Sequence, residues 1–437
     1  ILYRKVLRYI GILHENKLSF SEAYLVYINK FNEQLITRLF NFKESSYQLK
    51  QDITNYERPK GSYNINNFQI YTFKNLNKEQ RILNREAQLQ NRYINILEEK
   101  KIPEMLNNIF DEYKLGVPKY INKNLKLKYN ITDSFTKIWE IYTTYPFLIR
   151  NKKVLTSYHF GDNPEESIYC TENYINNRKR DSVINNWYAT CLREEFKDDY
   201  IYLKKNPNRW LFGSDKTGSI TVSKNIEWYQ KIFSNRDKLD LIVCDTNSES
   251  RDITKFQRYE FSKLLMVLAA SSKGTNCVIK HRLPFVPGLK NSEKGNGFFI
   301  NLVYIYYYYF DEIKFYRPVS SSSTNQEFYI IGSNFRGIEE KNFMEFVNVL
   351  KNFKRNLCIY TKKSISEYFL YQINNFIKSL YDIAYRQYQT QVLLMSCLTS
   401  KDPKIKEETK CHLVLNKTYT DKIQQVKFKE WVKNFKL

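Results

Sequence analysis

The stretch from Leu239 to Lys280 reads LDLIVCDTNSESRDITKFQRYEFSKLLMVLAASSKGTNCVIK, and its three parts decide the fold. LDLIVCD (239–245) is an apolar run of strand length that stops at an aspartate. A polar segment then passes into a helical pattern from Lys255 to Ala270, closed at Ser271-Ser272-Lys273-Gly274 in the manner of a helix C-terminus. NCVIK (276–280) is a second apolar run bounded by polar turns. Strand, helix, strand in that order is a βαβ unit. Neither run alternates polar with apolar residues, so burial on both faces is expected, which predicts a parallel sheet with helices on each side.

A third run, EFYIIGS (327–333), has the same character. FFINLVYIYYYYF (298–310) is too short for a bilayer span and is dominated by tyrosines, so it reads as a helix buried in a domain core. To the amino side, from Leu2 to about Lys123, apolar residues recur at three- and four-residue spacing, broken at Pro59-Lys60-Gly61-Ser62 and again at Gly116-Val117-Pro118. Beyond Gly337 the helical period returns over 342–353 and 366–398, followed by an exposed linker composition at 401–410 and a basic amphipathic end at 427–437. These boundaries give a mostly helical region over 1–125, an α/β domain over 126–337 and a helical region over 338–437.

The 437 residues are 42% hydrophobic and 16% aromatic with only 12 Gly and 10 Pro, which excludes disordered, collagen-like and linker-like chains. The net charge of +23 is spread at about +9 over 1–130, +6 over 131–337 and +8 over 338–437, so basicity is no tail property and a polyanion, nucleic acid first, is the expected partner. Seven scattered cysteines include no CxxC pair, which argues against a zinc ribbon or a disulfide framework and for a reducing compartment; with four histidines, no metal is expected. Arg4, Lys5 and Arg8 interrupt the apolar start, so it is no signal-peptide core but a basic helix. Because the chain begins at Ile1 and not at Met, residues upstream of it are expected.

Asp245 closes a buried strand at the carboxyl edge, where open α/β sheets hold their ligands, though an aspartate capping the next loop would look the same. Lys280 closes the next strand in the same way. A lysine there is either a proton acceptor or half of an ion pair tying strand ends together. Glu327 opens a third strand and by itself reads as a boundary charge. Basic runs at Asn177-Arg178-Lys179-Arg180 and at Lys204-Lys205-Asn206-Pro207-Asn208-Arg209-Trp210 set cations beside aromatics, which suits phosphates and stacked bases or an ordinary solvated face.

Taken together, LIVCDT (241–246), the helix carrying Leu264, Leu265 and Leu268, KGTNCVIKH (273–281) and KFYRPVSSSSTNQEFYIIGSNF (314–335) resemble the FtsJ-like RNA ribose 2′-O-methyltransferases, and among them the proteins of large cytoplasmic DNA viruses of the asfarvirus type. The resemblance covers roughly 131–337 and implies a Rossmann-like methyltransferase sheet. It also implies a Lys-Asp-Lys-Glu tetrad, here Lys137, Asp245, Lys280 and Glu327, with Lys137 supplied by DSFTKIWEI (133–141). Lys280 would take the proton of a ribose 2′-hydroxyl and Lys137 would depress its pKa, while Asp245 and Glu327 orient both lysines. S-adenosylmethionine is the implied cofactor, held by Gly161, Asp162, Asn163, Pro164, Gly218, Ser219 and Asp245. The implied partner is RNA, the mRNA cap in particular, met by Arg178, Lys179, Arg180 and Arg317, with other capping or virion proteins beside it. The host cytoplasm or the virion is the implied location, and no membrane is involved.

Two departures set an alternative beside this expectation. GDNPEESIYC (161–170) has Glu165 and Glu166 where the resemblance calls for glycines, and DKTGSI (215–220) has Ser219 where it calls for an acidic residue. Side chains at positions that should let backbone approach a ligand are expected to obstruct it. The alternative is therefore a methyltransferase-fold subunit without catalysis, binding RNA or building a viral assembly. Ribosomal RNA methylation is a third possibility that the large flanking regions disfavour.

Overall fold

The computed structural model describes residues 46–49, 81–82, 85, 88–90, 92–96, 117–124, 131–149 and 154–399, the last apart from 162, 179–183, 196–200, 247–249, 251, 283–294, 322–326 and 361–364, together with 403 and 428–435. In chain order the elements are β1 (Ser46–Leu49), α1 (Val117–Asn124), α2 (Asp133–Thr144), β2 (Val154–Phe160), α3 (Pro164–Arg178), β3 (Ile184–Thr190) and α4 (Ile201–Lys205). There follow α5 (Ser223–Ser234), β4 (Leu241–Cys244), α6 (Ile253–Ala270), β5 (Asn276–Arg282), α7 (Gly295–Tyr309), β6 (Phe310–Tyr316), β7 (Glu327–Phe335), α8 (Glu340–Lys351) and α9 (Glu367–Leu398). A further helical segment covers 428–435.

All seven strands join one sheet in the order β1-β6-β7-β5-β4-β2-β3. The βαβ unit expected from Leu239–Lys280 is present as β4, α6 and β5, with the two strands parallel and Cys244 opposite Ile279. β2, β3, β4 and β5 are mutually parallel, whereas β7 runs antiparallel between β5 and β6, and β1 runs antiparallel to β6. The expected all-parallel sheet is thus corrected at β7. Only ten residues separate β6 from β7, fewer than a parallel crossover needs, so the chain can only turn back. The sequence period reveals three of the seven strands. β2, β3 and β6 mix in polar residues such as Ser157, His159, Asn185, Asn186, Asp311 and Glu312, which mask their strand character.

Helices cover both faces. Alternate residues of each central strand go to opposite sides: Leu241, Val243, Val278, Tyr329 and Ile331 meet α1, α2, α3 and the 428–435 segment. Ile242, Cys244, Cys277, Ile279, Phe328 and Ile330 meet α5, α6, α7, α8 and α9. The tyrosine-rich stretch is α7, buried in the second layer as expected. Among the described residues no helix is long and apolar enough to cross a membrane.

Candidate active site

Residues two apart on a strand share a face, and this places the tetrad. On β4, Leu241 and Val243 point under α2, so Asp245, next in that series, emerges on the same face at the carboxyl end. On β5 Val278 leads to Lys280 in the same way. β7 runs in the opposite direction, so its first residue, Glu327, reaches the same edge, and Lys280 lies opposite Tyr329 in the ladder. α2 caps this face. Its N-terminus is fixed by Thr132, whose hydroxyl accepts from the Ser134 amide, and Lys137 comes down from its second turn.

The four side chains form one continuous ionic cluster. Glu327 holds Lys137 Nζ at 2.5 Å through Oε1 and Lys280 Nζ at 3.1 Å through Oε2, while Asp245 Oδ1 lies 3.3 Å from Lys280 Nζ. Ser321 donates to Glu327 Oε1 at 2.8 Å, and the Tyr329 hydroxyl donates to Asp245 Oδ1. Lys137 is 5% exposed, Lys280 8% and Glu327 0%, so the charges interact in a medium far less screening than water. Two ammonium groups balance two carboxylates, without which such burial would be prohibitive.

Burial alone would lower the Lys280 ammonium value. Asp245 and Glu327 together overcome it and hold Lys280 above the ordinary lysine range. Burial likewise works to raise Glu327 and Asp245, and the lysines outweigh it, leaving both carboxyls below their usual range. In the resting protein Lys280 is therefore raised and not depressed, because two carboxylates touch it.

Beside the cluster, at the carboxyl ends of β2 and β3, lies a cleft lined by residues that include Gly161, Cys191, Gly218, Ser219, Thr221 and Tyr259. Strand order reverses at β2, with β3 on one side and β4 on the other, which is where doubly wound sheets bind ligands. Two glycines make the cleft possible. Gly218 has φ +76°, and a Cβ there would sit 1.8 Å from the Cys191 carbonyl oxygen; Gly161 has φ +140°, and a Cβ would sit 2.8 Å from Thr246 Cβ. Thr246 follows Asp245, so the cleft adjoins the tetrad.

Of the cofactor residues expected from the sequence, Gly161, Gly218 and Ser219 line this cleft, and Asp245 belongs to the ionic cluster instead. Asn163 is exposed and Pro164 is buried as the first residue of α3. Asp162, Lys179 and Arg180 lie outside the described residues, and Arg178 is the last residue of α3. The feared obstruction by Glu165 and Glu166 does not occur in the cleft. Glu165 accepts from the backbone amides of Ile201, Tyr202 and Leu203 at 2.7–3.0 Å, satisfying the open N-terminus of α4. Glu166 accepts from the Thr132 hydroxyl at the head of α2; burial raises its carboxyl, and Asp245 and Asp133 add to the rise.

Arg317 is buried, in the field of Glu327 and Glu140, and offers no surface guanidinium for a phosphate. In the second basic run Lys204 and Lys205 are exposed, but Trp210 is buried edge-on against Trp187, whose ring is covered by Arg209 at 5.2 Å. Tyr329, Ser321 and Tyr259 join the site without a sequence signal of their own. Tyr329 is signalled only through Glu327: two residues after it on a strand, it must share that carboxylate's face.

No protein-family model matches the chain. It is 30% identical over 235 residues to an uncharacterised protein of Acanthamoeba polyphaga mimivirus, covering 50% of this chain and 28% of that protein. It is 23% identical over 258 residues to a probable methyltransferase of African swine fever virus, covering 54% and 56%. It is 28% identical over 153 residues to a cap-specific mRNA (nucleoside-2′-O-)-methyltransferase of Dictyostelium discoideum, covering 33% and 19%. The chain thus spans less than two thirds of each relative's length. The relationship to FtsJ-like cap 2′-O-methyltransferases and the Rossmann-like fold that it carries are supported by these likenesses.

Proposed function

We propose, from this kinship with cap 2′-O-methyltransferases, that the chain transfers a methyl group from S-adenosylmethionine to a ribose 2′-oxygen of capped RNA. The observation that carries the proposal is the continuous Lys137–Glu327–Lys280–Asp245 cluster opening beside a glycine-lined cleft. The cleft suits the cofactor: Gly161 and Gly218 let its walls close on Thr246 and on the Cys191 carbonyl as no side chain would allow, and Ser219 and Thr221 offer hydroxyls. S-adenosylmethionine, when bound, supplies an electrophilic methyl carbon on a sulfonium.

The chain's own residues handle the oxygen and its proton. As the carbon–oxygen bond forms and the carbon–sulfur bond breaks, the hydroxyl proton passes to Lys280 Nζ, and the Lys137 ammonium faces the developing negative charge on the oxygen. Lys280 rests as an ammonium, so it must shed a proton before it can accept one. A second cation brought beside it favours that loss, and desolvation by a closing substrate works the same way. Asp245 and Glu327 keep the nitrogen aimed, and Tyr329 and Ser321 keep the two carboxylates in place. Glu165 and Glu166, two of the departures that favour a non-catalytic subunit, are occupied with α4 and with the head of α2, which leaves that alternative with Ser219 and the large basic flanks.

The test is transfer of labelled methyl to capped RNA, with Lys280→Ala alongside. The intact chain is expected to transfer, with kcat climbing as pH rises toward the raised Lys280 value, and Lys280→Ala to lose at least about 10²-fold in kcat while still binding S-adenosylmethionine. Full activity in Lys280→Ala would remove the base. Absence of transfer by an intact chain that binds capped RNA would favour the non-catalytic subunit.

A further inference from the structure

On the side of the sheet away from α2, a second buried ionic group stands directly behind the tetrad. Lys263, on α6, has a fully buried ammonium. It pairs with Glu260 Oε1 at 2.8 Å and donates to two main-chain carbonyls, that of Lys280 at 2.6 Å and that of Thr246 at 3.3 Å. The other oxygen of Glu260 meets His281 Nδ1 at 2.5 Å, and His281 Nε2 meets the Tyr306 hydroxyl at 3.2 Å. Tyr259, the residue before Glu260, lines the cleft and bonds to the Thr246 hydroxyl at 3.1 Å.

The placement of these bonds sets them apart from ordinary core packing. A lysine at 0% exposure is rare and needs every hydrogen of its ammonium met. Here two of its three acceptors are the carbonyl of Lys280 itself and that of the residue after Asp245. β4 ends at Cys244, whose ladder partner is Ile279, so Asp245 and Thr246 lie past the last paired residue of the strand. The Lys263 ammonium joins the two chain segments beyond that point. His281, on the same strand as Lys280 but facing the other way, steadies Glu260 and through it the ammonium.

We propose that Lys263 is a positioning residue that clamps the ends of β4 and β5 from behind the sheet and so sets the spacing of Asp245 from Lys280. It touches neither substrate nor cofactor and acts through the backbone of the two residues in front of it. The proposal rests on the methyl-transfer reading only for its kinetic consequence; the geometric claim stands by itself.

The experiment uses the full chain with Lys263→Met and Glu260→Gln combined, so that neither charge is left buried alone. Lys263→Gln with Glu260→Gln, which restores an amide donor, is the second variant and serves if the first fails to fold. Two quantities are read. The first is the titration of Lys280, followed by NMR of isotopically labelled lysine side chains and assigned with Lys280→Ala. The second is methyl transfer to capped RNA with kcat and KM separated. In the folded Met/Gln variant the Lys280 titration is expected to move down toward the ordinary lysine position as Asp245 drifts away, kcat to fall about tenfold or more with KM within about threefold, and the Gln/Gln variant to recover part of both. A folded variant whose Lys280 titrates where it does in the intact chain overturns the clamp, whatever the kinetics. If the intact chain transfers no methyl group, the reading of function fails, yet the titration still decides the clamp.

Discussion

Glu327 is the hinge of the cluster, since one carboxylate serves both lysines. Replacing it with glutamine leaves two buried ammonium groups without their common counter-charge, a loss of about 3–5 kcal/mol on the scale of broken buried pairs. The pH dependence follows from the direction of its shift. A carboxyl held below its ordinary value contributes stability that is complete above that value, about 4.3 for glutamate, and is lost as pH falls through the lower folded value. Lys280, held above the ordinary lysine value, contributes stability that is complete below about 10.4 and is lost as pH rises further. The urea midpoint of Glu327→Gln is therefore expected to lie well below that of the intact chain at pH 7, and the gap to narrow below about pH 4. A constant gap across that range would show that Glu327 is not ionised in the folded state.

At the scale of elements, the informative case is α3, whose first turn carries two glutamates in place of glycines. An acidic first turn suits a helix N-terminus, and here each carboxylate also serves a second helix, Glu165 the amides of α4 and Glu166 the head of α2. Glu165→Ala leaves three amides of α4 without their acceptor, at a cost of about 1–2 kcal/mol. Hydrogen exchange at Ile201, Tyr202 and Leu203 is expected to quicken while the β2 and β4 amides hold their rates, and S-adenosylmethionine affinity is expected to stay within about twofold. A tenfold loss of affinity would mean that Glu165 reaches the cleft after all.

At the scale of the molecule, segments from both flanking regions take part in the central domain. β1 extends the sheet beside β6, and the 428–435 segment packs on α2. Trp431 is fully buried and donates to Glu140 Oε1 at 2.7 Å, and Trp139 donates to the Phe435 carbonyl at 2.9 Å. Glu140 lies one turn beyond Lys137 and also accepts the amides of Val319 and Ser320, the segment that delivers Ser321 to Glu327. The carboxyl-terminal segment therefore supports the tetrad's covering helix from outside. Trp431→Phe keeps most of the volume but leaves Glu140 one donor short, so a loss of about 1–3 kcal/mol is expected in the urea midpoint. A variant as stable as the intact chain would show that the indole bond contributes nothing.

The βαβ unit, the buried tyrosine helix and the strand-end positions of Asp245 and Lys280 were legible in the sequence because they depend on local period, which neighbours in the chain determine, whereas Lys137 and Glu327 joined them only through the family resemblance. β2 and β3 were not legible, because Ser157, Asn185, Tyr158 and Thr190 are tolerated in buried strands only through hydrogen bonds to one another across the sheet. Nor could the sequence say where Glu165 points, since its acceptor role depends on amides 36 to 38 residues away. The sign of the Lys280 shift and the clamp by Lys263 were likewise decided only by the tertiary structure. Hydrogen bonds and close ion pairs form only at contact distance, and only folding determines which two carboxylates come to one side of Lys280 and which ammonium to the other.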